Sequence, residues 1–381
     1  MVHLKRQLPT DAIWQRVLKS LLWLTTDIFP SRVQDQMAET FHGLVRPCFE
    51  VDSLSNAWKS ELCLDGTPVE FGFKVGRRKD PTLRFVVDTH KRPGTWEDAA
   101  ESIRRYTSVL LPTEDDQQLL QRIAQEHLKG AGNAVRSYAA LSARFDRASG
   151  LVPRLYVNTS WKDRDELNKL WRPFISEDIL LWLDKPPVAA YPVLGVGYDF
   201  VAARVFGLKV YFLMHDHVRE RVLELAYDTL GEMAASLAAM LDLAISLKGP
   251  GWKIPPLLAS LGFWNNGKDR EVKMAIPLVV WEWDTCDSLG PVLSALARQW
   301  NPLAPEKDPS PISSDEPLWP FALTHLSLAV STSDESLTVY FSPAKAGRDD
   351  SMLLFDRDDY PECCQSGVHR KLDWFLSTCC L

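Results

Sequence analysis

Two segments of the chain repeat one local pattern, in which a cation is followed two residues later by a tyrosine. The pattern is Arg154-x-Tyr156 in PRLYVNT and Lys209-x-Tyr211 in GLKVYFLM. Residues two apart on a β-strand share a face, so each cation would lie beside its tyrosine. An unpaired buried cation is costly, and we therefore expect this face either to meet solvent or to be completed by an anion.

Three further strand-like segments carry related residues. Arg84 lies in TLRFVVD, Lys273 in VKMAI and Tyr340 in SLTVYFS. In GLKVYFLM the opposite face is apolar, with Val210 and Phe212, and would pack against helices. If the cation-bearing faces converge, they form a positive interior that suits a small polyanion such as a diphosphate, which arginine and lysine bind directly.

Tyrosines beside the cations fit one particular diphosphate chemistry. An allylic diphosphate that ionises leaves a carbocation, and an aromatic face stabilises a cation by up to ~2 kcal/mol in a dry site. Aromatic rings also keep water away from the carbocation. Tyr156, Tyr211 and Tyr340 are candidates for this role, and the alternative interpretation of all three is ordinary strand preference.

The sequence lacks the motifs that hold phosphates in other ways. It contains no DDxxD cluster for Mg²⁺ and no GxxxxGK[ST] loop. We interpret His215-Asp216-His217 as a surface polar patch rather than a metal site. We therefore expect no metal and no other cofactor, with arginine and lysine neutralising the diphosphate.

Composition limits the partners that the protein can have. A net charge of −7 disfavours nucleic-acid binding, because proteins that bind duplexes usually carry a basic excess. The longest apolar stretch, 233–247, contains Asp242 and is too short to span a bilayer, so no membrane association is expected. The cysteines form no CxxC pair, which indicates reduced thiols in a cytoplasmic protein. We expect a monomer or a homodimer.

Helix-like and strand-like segments alternate along the chain. The helical patterns cover Asp11–Asp27, Glu97–Val109, Glu114–Leu128, Ser176–Asp184, Arg219–Lys248, Ser288–Trp300 and Arg370–Leu381. Five strand pairs lie between them: Leu62–Lys74 with Thr82–Asp88, Tyr138–Phe145 with Pro153–Thr159, Val193–Val201 with Gly207–Met214, Leu257–Trp264 with Val272–Val280, and His325–Ser331 with Ser336–Ser342.

The strand pairs recur at a loose period. Equivalent positions in the second strand of each pair are Arg84, Tyr156, Tyr211, Ala275 and Tyr340, so the spacings are 72, 55, 64 and 65 residues. A helix–strand–strand–helix unit used five times gives ten antiparallel strands, which can close into a barrel wide enough to hold a ligand. An open α+β sheet and two stacked sheets are the alternatives that periodicity leaves open.

The order and spacing of four short motifs resemble the dimethylallyltryptophan synthase family of aromatic prenyltransferases. The motifs are TPVEFGF at 67–73, LRF at 83–85, RLY at 154–156 and GLKVYF at 207–212. The resemblance covers about residues 10–345. It implies an α+β fold, the αββα prenyltransferase barrel of ten antiparallel strands in five repeats surrounded by helices. We take 1–381 as a single domain, in which 345–381 forms a C-terminal tail and closing helix.

The resemblance implies roles for residues of the first two repeats. Glu70 matches the glutamate that accepts a hydrogen bond from the indole nitrogen, and Arg84 matches the first arginine that binds the diphosphate. Arg154 stands where the family usually has lysine, and Tyr156 matches a tyrosine that shields the carbocation.

The later repeats match the family less completely. Lys209 and Tyr211 match an Arg-x-Lys-x-Tyr strand, but the arginine position is Gly207, which either removes a diphosphate contact or enlarges the pocket. In the fourth repeat Lys273 is the candidate cation, and Ala275 stands at the aromatic position. Tyr340, in the fifth repeat, resembles the tyrosine of the last unit.

The implied activity is metal-independent transfer of a prenyl group, dimethylallyl first of all, from its diphosphate to an indole, tryptophan or a tryptophan-derived compound in secondary metabolism. The diphosphate would be held by Arg84, Arg154, Lys209 and Lys273. The base that removes the ring proton stays open, because arginine is a poor base and Arg144 and Asp146 are the candidates nearby. Three alternatives remain: a phenolic acceptor, a longer donor including terpene cyclisation, and a barrel that binds an apolar ligand without catalysis.

Overall fold

A computed structural model describes most of the chain. The described residues are 14–49, 69–88, 95–129, 139–201, 204–249, 252–281, 289–298 and 321–343, with short gaps inside several of these ranges. The predicted tail 345–381 with its closing helix lies outside them, as does the predicted start of the first strand at 62–68. The predicted helices at 11–27 and 288–300 are described in part, and most of their described positions are helical.

Ten strands form one closed antiparallel barrel. They are β1 Val69–Gly76, β2 Thr82–Asp88, β3 Ala139–Asp146, β4 Gly150–Asn158, β5 Val193–Val201, β6 Arg204–Met214, β7 Leu257–Trp264, β8 Asp269–Pro277, β9 Phe321–Ser331 and β10 Glu335–Pro343. Each strand pairs with its neighbours in sequence, and β1 pairs with β10 to close the ring. The predicted prenyltransferase-type barrel is confirmed, and the open and stacked sheets are excluded.

Strict alternation of side chains separates the two faces of the barrel wall. Most of the large apolar residues of the strands point outward and are covered by helices, and Phe85 and Val210 are fully buried there. Phe41 packs between the barrel and the outer layer, with its ring 6.1 Å from the ring of Phe85 and 6.5 Å from that of Phe71. The outward faces therefore carry the hydrophobic core, and the interior is lined by polar residues together with smaller apolar ones such as Leu258 and Ala275.

Seven helices of seven residues or more are described. They are α1 Ser31–Thr40, α2 Trp96–Leu110, α3 Glu114–Leu128, α4 Arg164–Trp171, α5 Glu177–Leu183, α6 Val218–Leu230 and α7 Ala234–Ser246. Side-chain caps fix several of their starts: Thr95 and Asp98 form a capping box at α2, and Asp163 and Glu166 form another at α4. Such caps satisfy amide groups that a helix leaves unpaired at its first turn.

The prediction of one continuous helix over 219–248 is wrong. Gly231 ends α6 with φ +59, a conformation that glycine adopts easily, and a short 3₁₀ turn connects it to α7. By length and composition the whole segment Val218–Ser246 could cross a membrane. In the structure α6 packs on β8 and α7 packs on β9, with Leu225 and Leu241 fully buried.

Candidate active site

The four predicted diphosphate-binding cations lie on every second strand, β2, β4, β6 and β8, and face the interior of the barrel. Arg84 and Arg154 both donate a hydrogen bond to the hydroxyl of Tyr156, at 2.9 and 3.1 Å. Lys209 and Lys273 are buried, with 5% and 8% of their surface exposed. The cations therefore do not face solvent, which excludes the interpretation of these strands as an outer sheet face.

The three predicted tyrosines meet in the same interior. The rings of Tyr156 and Tyr211 lie edge to face with centroids 5.9 Å apart. Tyr340 lies across β9 from Lys273, whose ammonium donates to the Tyr340 hydroxyl and lies 4.6 Å from the centre of its ring. All three tyrosines line one cavity of about 410 Å³. Cations and aromatic rings are thus combined around a single space.

Two carboxylates that sequence reasoning missed lie among the cations. Asp199 on β5 forms a two-pronged ion pair with Arg154, and Glu271 on β8 bonds to Lys209 and, at 3.1 Å, to Lys74. Burial acts to raise the pKa of Asp199, but the charge of Arg154 and its hydrogen bonds outweigh burial and hold that pKa well below its usual range. Burial likewise acts to raise the pKa of Glu271, but Lys209 and Lys74 outweigh it and lower that pKa, so both carboxylates act as counterions of the interior cations.

Gly207, which replaces the arginine of the family pattern, does not enlarge the cavity. A Cβ added at Gly207 would lie 2.2 Å from the Trp264 ring. Trp264 also packs over Gly262 and donates its indole N–H to Asp199 Oδ2 at 2.8 Å. The expectation of a larger pocket at this position is wrong, because an indole from the next strand fills the space.

The missing aromatic residue of the fourth repeat has a different consequence. Ala275 lines the cavity and lies in register between Leu258 on β7 and Ser327 on β9, which line the same cavity. Three adjacent strands therefore present small or aliphatic side chains to one wall. The cavity is wider at this wall than a tyrosine at position 275 would allow.

Glu70 lines this cavity and is 7% exposed. Its Oε1 accepts a hydrogen bond from the Thr324 hydroxyl at 2.7 Å and lies 3.2 Å from His325 Nδ1. Among the described residues these are its hydrogen-bonding partners, which leaves Oε2 for a donor from a ligand. Sequence analysis missed both partners because they belong to β9, more than 250 positions away in the chain.

The two candidates for the ring-proton base lie elsewhere. Arg144 and Asp146 are 4.0 Å apart at the end of β3, and Asp146 accepts hydrogen bonds from the β3–β4 turn at Ser149. Neither lines the cavity. Their position therefore does not support a role as base.

Burial and neighbouring charges shift the pKa values of several interior groups. Burial lowers the pKa of Lys273 to about 7, and the nearby Arg84 charge adds to this effect. Burial acts to raise the pKa of Tyr156, but Arg154, Arg84 and Lys273 outweigh it and bring that pKa to about 7. Such an interior favours a bound anion, which would stabilise the charged lysine.

Metal ligands are not grouped in the described part of the chain. No three His, Cys, Asp or Glu side chains there are close enough to hold an ion. Of the patch at 215–217, His217 is described, and it lies exposed before α6 in a left-handed conformation.

The arrangement defines a class of protein: a ten-stranded antiparallel barrel whose interior combines arginine, lysine and tyrosine. A comparison with protein families matches residues 14–243 to the tryptophan dimethylallyltransferase family. Because the match covers more than half of the chain, the chain belongs to this family, and it is a prenyltransferase. A sequence search of curated proteins found no match.

Solved structures share the fold. The 5-dimethylallyltryptophan synthase from Streptomyces coelicolor superposes with a TM-score of 0.66 at 15% identity, covering 88% of this chain and 99% of that one. The 6-dimethylallyltryptophan synthase from Micromonospora olivasterospora, in complex with DMASPP and Trp, gives 0.62 at 17% identity, covering 90% and 99%. The prenyltransferase PriB, in a ternary complex with L-tryptophan and dimethylallyl thiolodiphosphate, gives 0.62 at 15%, covering 92% and 99%.

Proposed function

We propose that this protein transfers a dimethylallyl group from its diphosphate to the indole ring of tryptophan or a tryptophan-derived compound. One arrangement supports the proposal: Lys273 and the three tyrosines line a single cavity, and Arg84 and Arg154 both donate to the hydroxyl of Tyr156 at its wall. Structural relatives are described as dimethylallyltryptophan synthases, and two were solved with a thiodiphosphate analogue and tryptophan. The resemblance in sequence motifs supports the same reaction.

The donor would bind with its diphosphate against the cations and its prenyl group among the tyrosines. Arg84, Arg154, Lys209 and Lys273 would stabilise the negative charge that grows on the leaving oxygen as the C1–O bond breaks. The electron pair of that bond leaves with the diphosphate. The rings of Tyr156, Tyr211 and Tyr340 would stabilise the allylic cation and exclude water.

The acceptor would bind beside Glu70 in the cavity. Oε2 of Glu70 is available for an indole N–H, and a hydrogen bond to a carboxylate increases the electron density of the ring. An electron-rich ring carbon then attacks C1 of the cation. A phenolic O–H could also donate to this carboxylate, so the preference for an indole comes from the family and from the relatives solved with tryptophan.

We also propose that catalysis needs no metal, since arginine and lysine side chains can neutralise the diphosphate directly. A cytoplasmic location, a monomeric or homodimeric state and a single domain over 1–381 stay predictions. A second candidate for the donor is a longer prenyl diphosphate. Ala275, Leu258 and Ser327 favour it, because they leave room beside the tyrosines where a longer chain would fit.

One experiment tests the proposal. The protein is incubated with dimethylallyl, geranyl or farnesyl diphosphate, each with tryptophan, tyrosine or a naphthol and an excess of chelator, and products are identified by mass. We expect dimethylallyl transfer to tryptophan. Glu70→Gln should lose indole turnover by about 10²-fold or more and keep its donor affinity, since it removes an orienting charge and not a diphosphate contact. Full activity of Glu70→Gln on indoles would contradict the role of Glu70.

A further inference from the structure

The proposed reaction needs a base that removes a proton from the ring, and the cavity limits the choice. Its titratable lining residues are Glu70, Asp88, Tyr156, Tyr211, Lys273, His325 and Tyr340. The second repeat contributes no titratable group from β3, where Ala139 and Ala140 line the cavity. Ser142, further along β3, is fully buried beside Arg154 and is not ionisable in the relevant range.

Most of the lining groups have another task in the reaction or the wrong acidity. Burial raises the pKa of Tyr340 to about 12 and that of Tyr211 well above its usual range, so both stay protonated. Lys273 is bonded to the Tyr340 hydroxyl and is needed in its charged form for the diphosphate. Tyr156 accepts hydrogen bonds from two arginines. Apart from Glu70, the candidates for the base that remain are Asp88 and His325.

The contacts of His325 prepare its ring to accept a proton. Nδ1 lies 3.2 Å from Oε1 of Glu70, and because a carboxylate only accepts hydrogen bonds, the ring proton of neutral His325 lies on Nδ1. The lone pair is then on Nε2, at the opposite side of the ring. An edge-to-face contact with Tyr340, at 6.3 Å between centroids, holds the ring in place.

Glu70 thus connects the acceptor to the imidazole. Oε1 is occupied by Thr324 and His325, and Oε2 is left for the indole N–H. An indole bound in this way lies next to the His325 ring on the same carboxylate. Carboxylate-supported imidazoles are effective general bases because the carboxylate fixes the tautomer and stabilises the imidazolium.

We infer that His325 is the base that takes the ring proton after prenyl transfer, an inference that rests on the proposed function. The new bond joins a ring carbon to C1 of the prenyl group, and the broken C1–O bond leaves its electrons on the diphosphate. The C–H bond at the attacked carbon then breaks. Its electrons restore the aromatic ring, and its proton goes to Nε2 of His325.

His325→Asn tests this assignment. The asparagine amide can still donate to Glu70 where Nδ1 did, but it provides no basic lone pair at the Nε2 position. Turnover should fall by about 10²–10⁴-fold. Dimethylallyl thiodiphosphate should bind the variant within about twofold of wild type, which also shows that the variant is folded. Ring-perdeuterated tryptophan should give a larger kinetic isotope effect in the variant than in wild type, because deprotonation becomes rate-limiting.

The comparison variant is Asp88→Asn, at the other candidate carboxylate of the cavity. Full activity of His325→Asn, or a loss of activity with no increase in the isotope effect, would overturn the assignment. So would an increased isotope effect in Asp88→Asn alone. If wild type forms no prenylated indole at all, the proposed function fails, and this result is distinct from an active wild type whose His325→Asn variant behaves normally.

Discussion

Arg154 on β4 and Asp199 on β5 lie opposite each other in register, and the carboxylate takes two hydrogen bonds from the guanidinium. The remaining Nη1 of Arg154 donates to Tyr156. This cation is therefore already paired before any diphosphate enters. Asp199 also accepts from Trp264, so one buried carboxylate fixes both an arginine and the indole that fills the space over Gly207.

Asp199→Asn should strengthen donor binding and weaken the fold. The negative charges of Asp199 and of a bound diphosphate repel each other. Two unit charges about 8 Å apart at an effective dielectric near 20 interact by ~2 kcal/mol, so removing the Asp199 charge should tighten thiodiphosphate binding about tenfold or more. Breaking a buried ion pair costs about 3–5 kcal/mol of unfolding free energy. Calorimetric titration and urea unfolding measure the two effects.

Asp242→Asn is the matched control for this variant. Asp242 pairs with Arg219 on the outer helices and is about half exposed. The same change in charge there should therefore alter neither the thiodiphosphate affinity nor the free energy of unfolding much. Weaker anion binding by Asp199→Asn than by wild type would contradict the counterion role.

Lys273→Met should make the unliganded protein more stable at low pH. Because burial lowers the pKa of Lys273 to about 7, the unfolded chain binds more protons than the folded one between pH 7 and the ordinary lysine pKa of 10.5. Stability of wild type therefore rises with pH across this window. The variant lacks this dependence, and its advantage should be several kcal/mol below pH 7 and should shrink toward pH 10.

Unfolding in urea at pH 6 and pH 9.5 measures this difference, with Lys268→Met, at an exposed lysine, as the control. The same Lys273 variant should lose donor affinity. If the gain in unfolding free energy of Lys273→Met over wild type grew with pH, it would contradict a buried Lys273 whose pKa is lowered.

Donor affinity should fall as the pH rises above about 7. Lys273 then loses its positive charge, and Tyr156, with a pKa of about 7, gains a negative one, so both changes disfavour a diphosphate. The dissociation constant should rise by up to about tenfold per pH unit for each proton taken up on binding. Titrations of thiodiphosphate from pH 6 to pH 9 measure the slope, and Tyr156→Phe should make it shallower. An affinity that is constant or increases over this range would contradict the account.

Gly207→Ala should destabilise the protein only while Trp264 is present. The added methyl group would overlap the indole and cost about 1–3 kcal/mol of unfolding free energy. In a Trp264→Ala background the same change should cost close to nothing, and a double-mutant cycle in urea unfolding measures the coupling. Equal effects of Gly207→Ala in both backgrounds would show that the indole does not occupy this space.

Much of the fold could be predicted because hairpins are encoded locally. β2, β5 and β7 have the predicted bounds, since period-two patterns and turn residues mark a strand from its own sequence. Closure of the barrel could not be derived in this way. It depends on the pairing of β1 with β10, two segments far apart in the chain; the strand-pair period allowed closure as one of three arrangements, and the family resemblance favoured it.

Some residues of the candidate site could be predicted from the sequence, and others could not. Arg154 and Lys209 could be predicted because each lies two residues from a tyrosine on one strand. Asp199, Glu271 and His325 could not, because their importance depends on which residue of a neighbouring or distant strand they face. A lone charge in a strand usually indicates an exposed face, and only the barrel register shows that these three are partners of the predicted residues.

The central claim is that cations from separate hairpins bind one prenyl diphosphate inside the barrel. Calorimetric titration of the protein with dimethylallyl thiodiphosphate in excess chelator tests it most directly. The account predicts one site with micromolar or tighter affinity, weakened at least about tenfold in Arg84→Ala, the loss expected for one charge-assisted contact. Absence of binding, or binding that Arg84→Ala leaves unchanged, would contradict it.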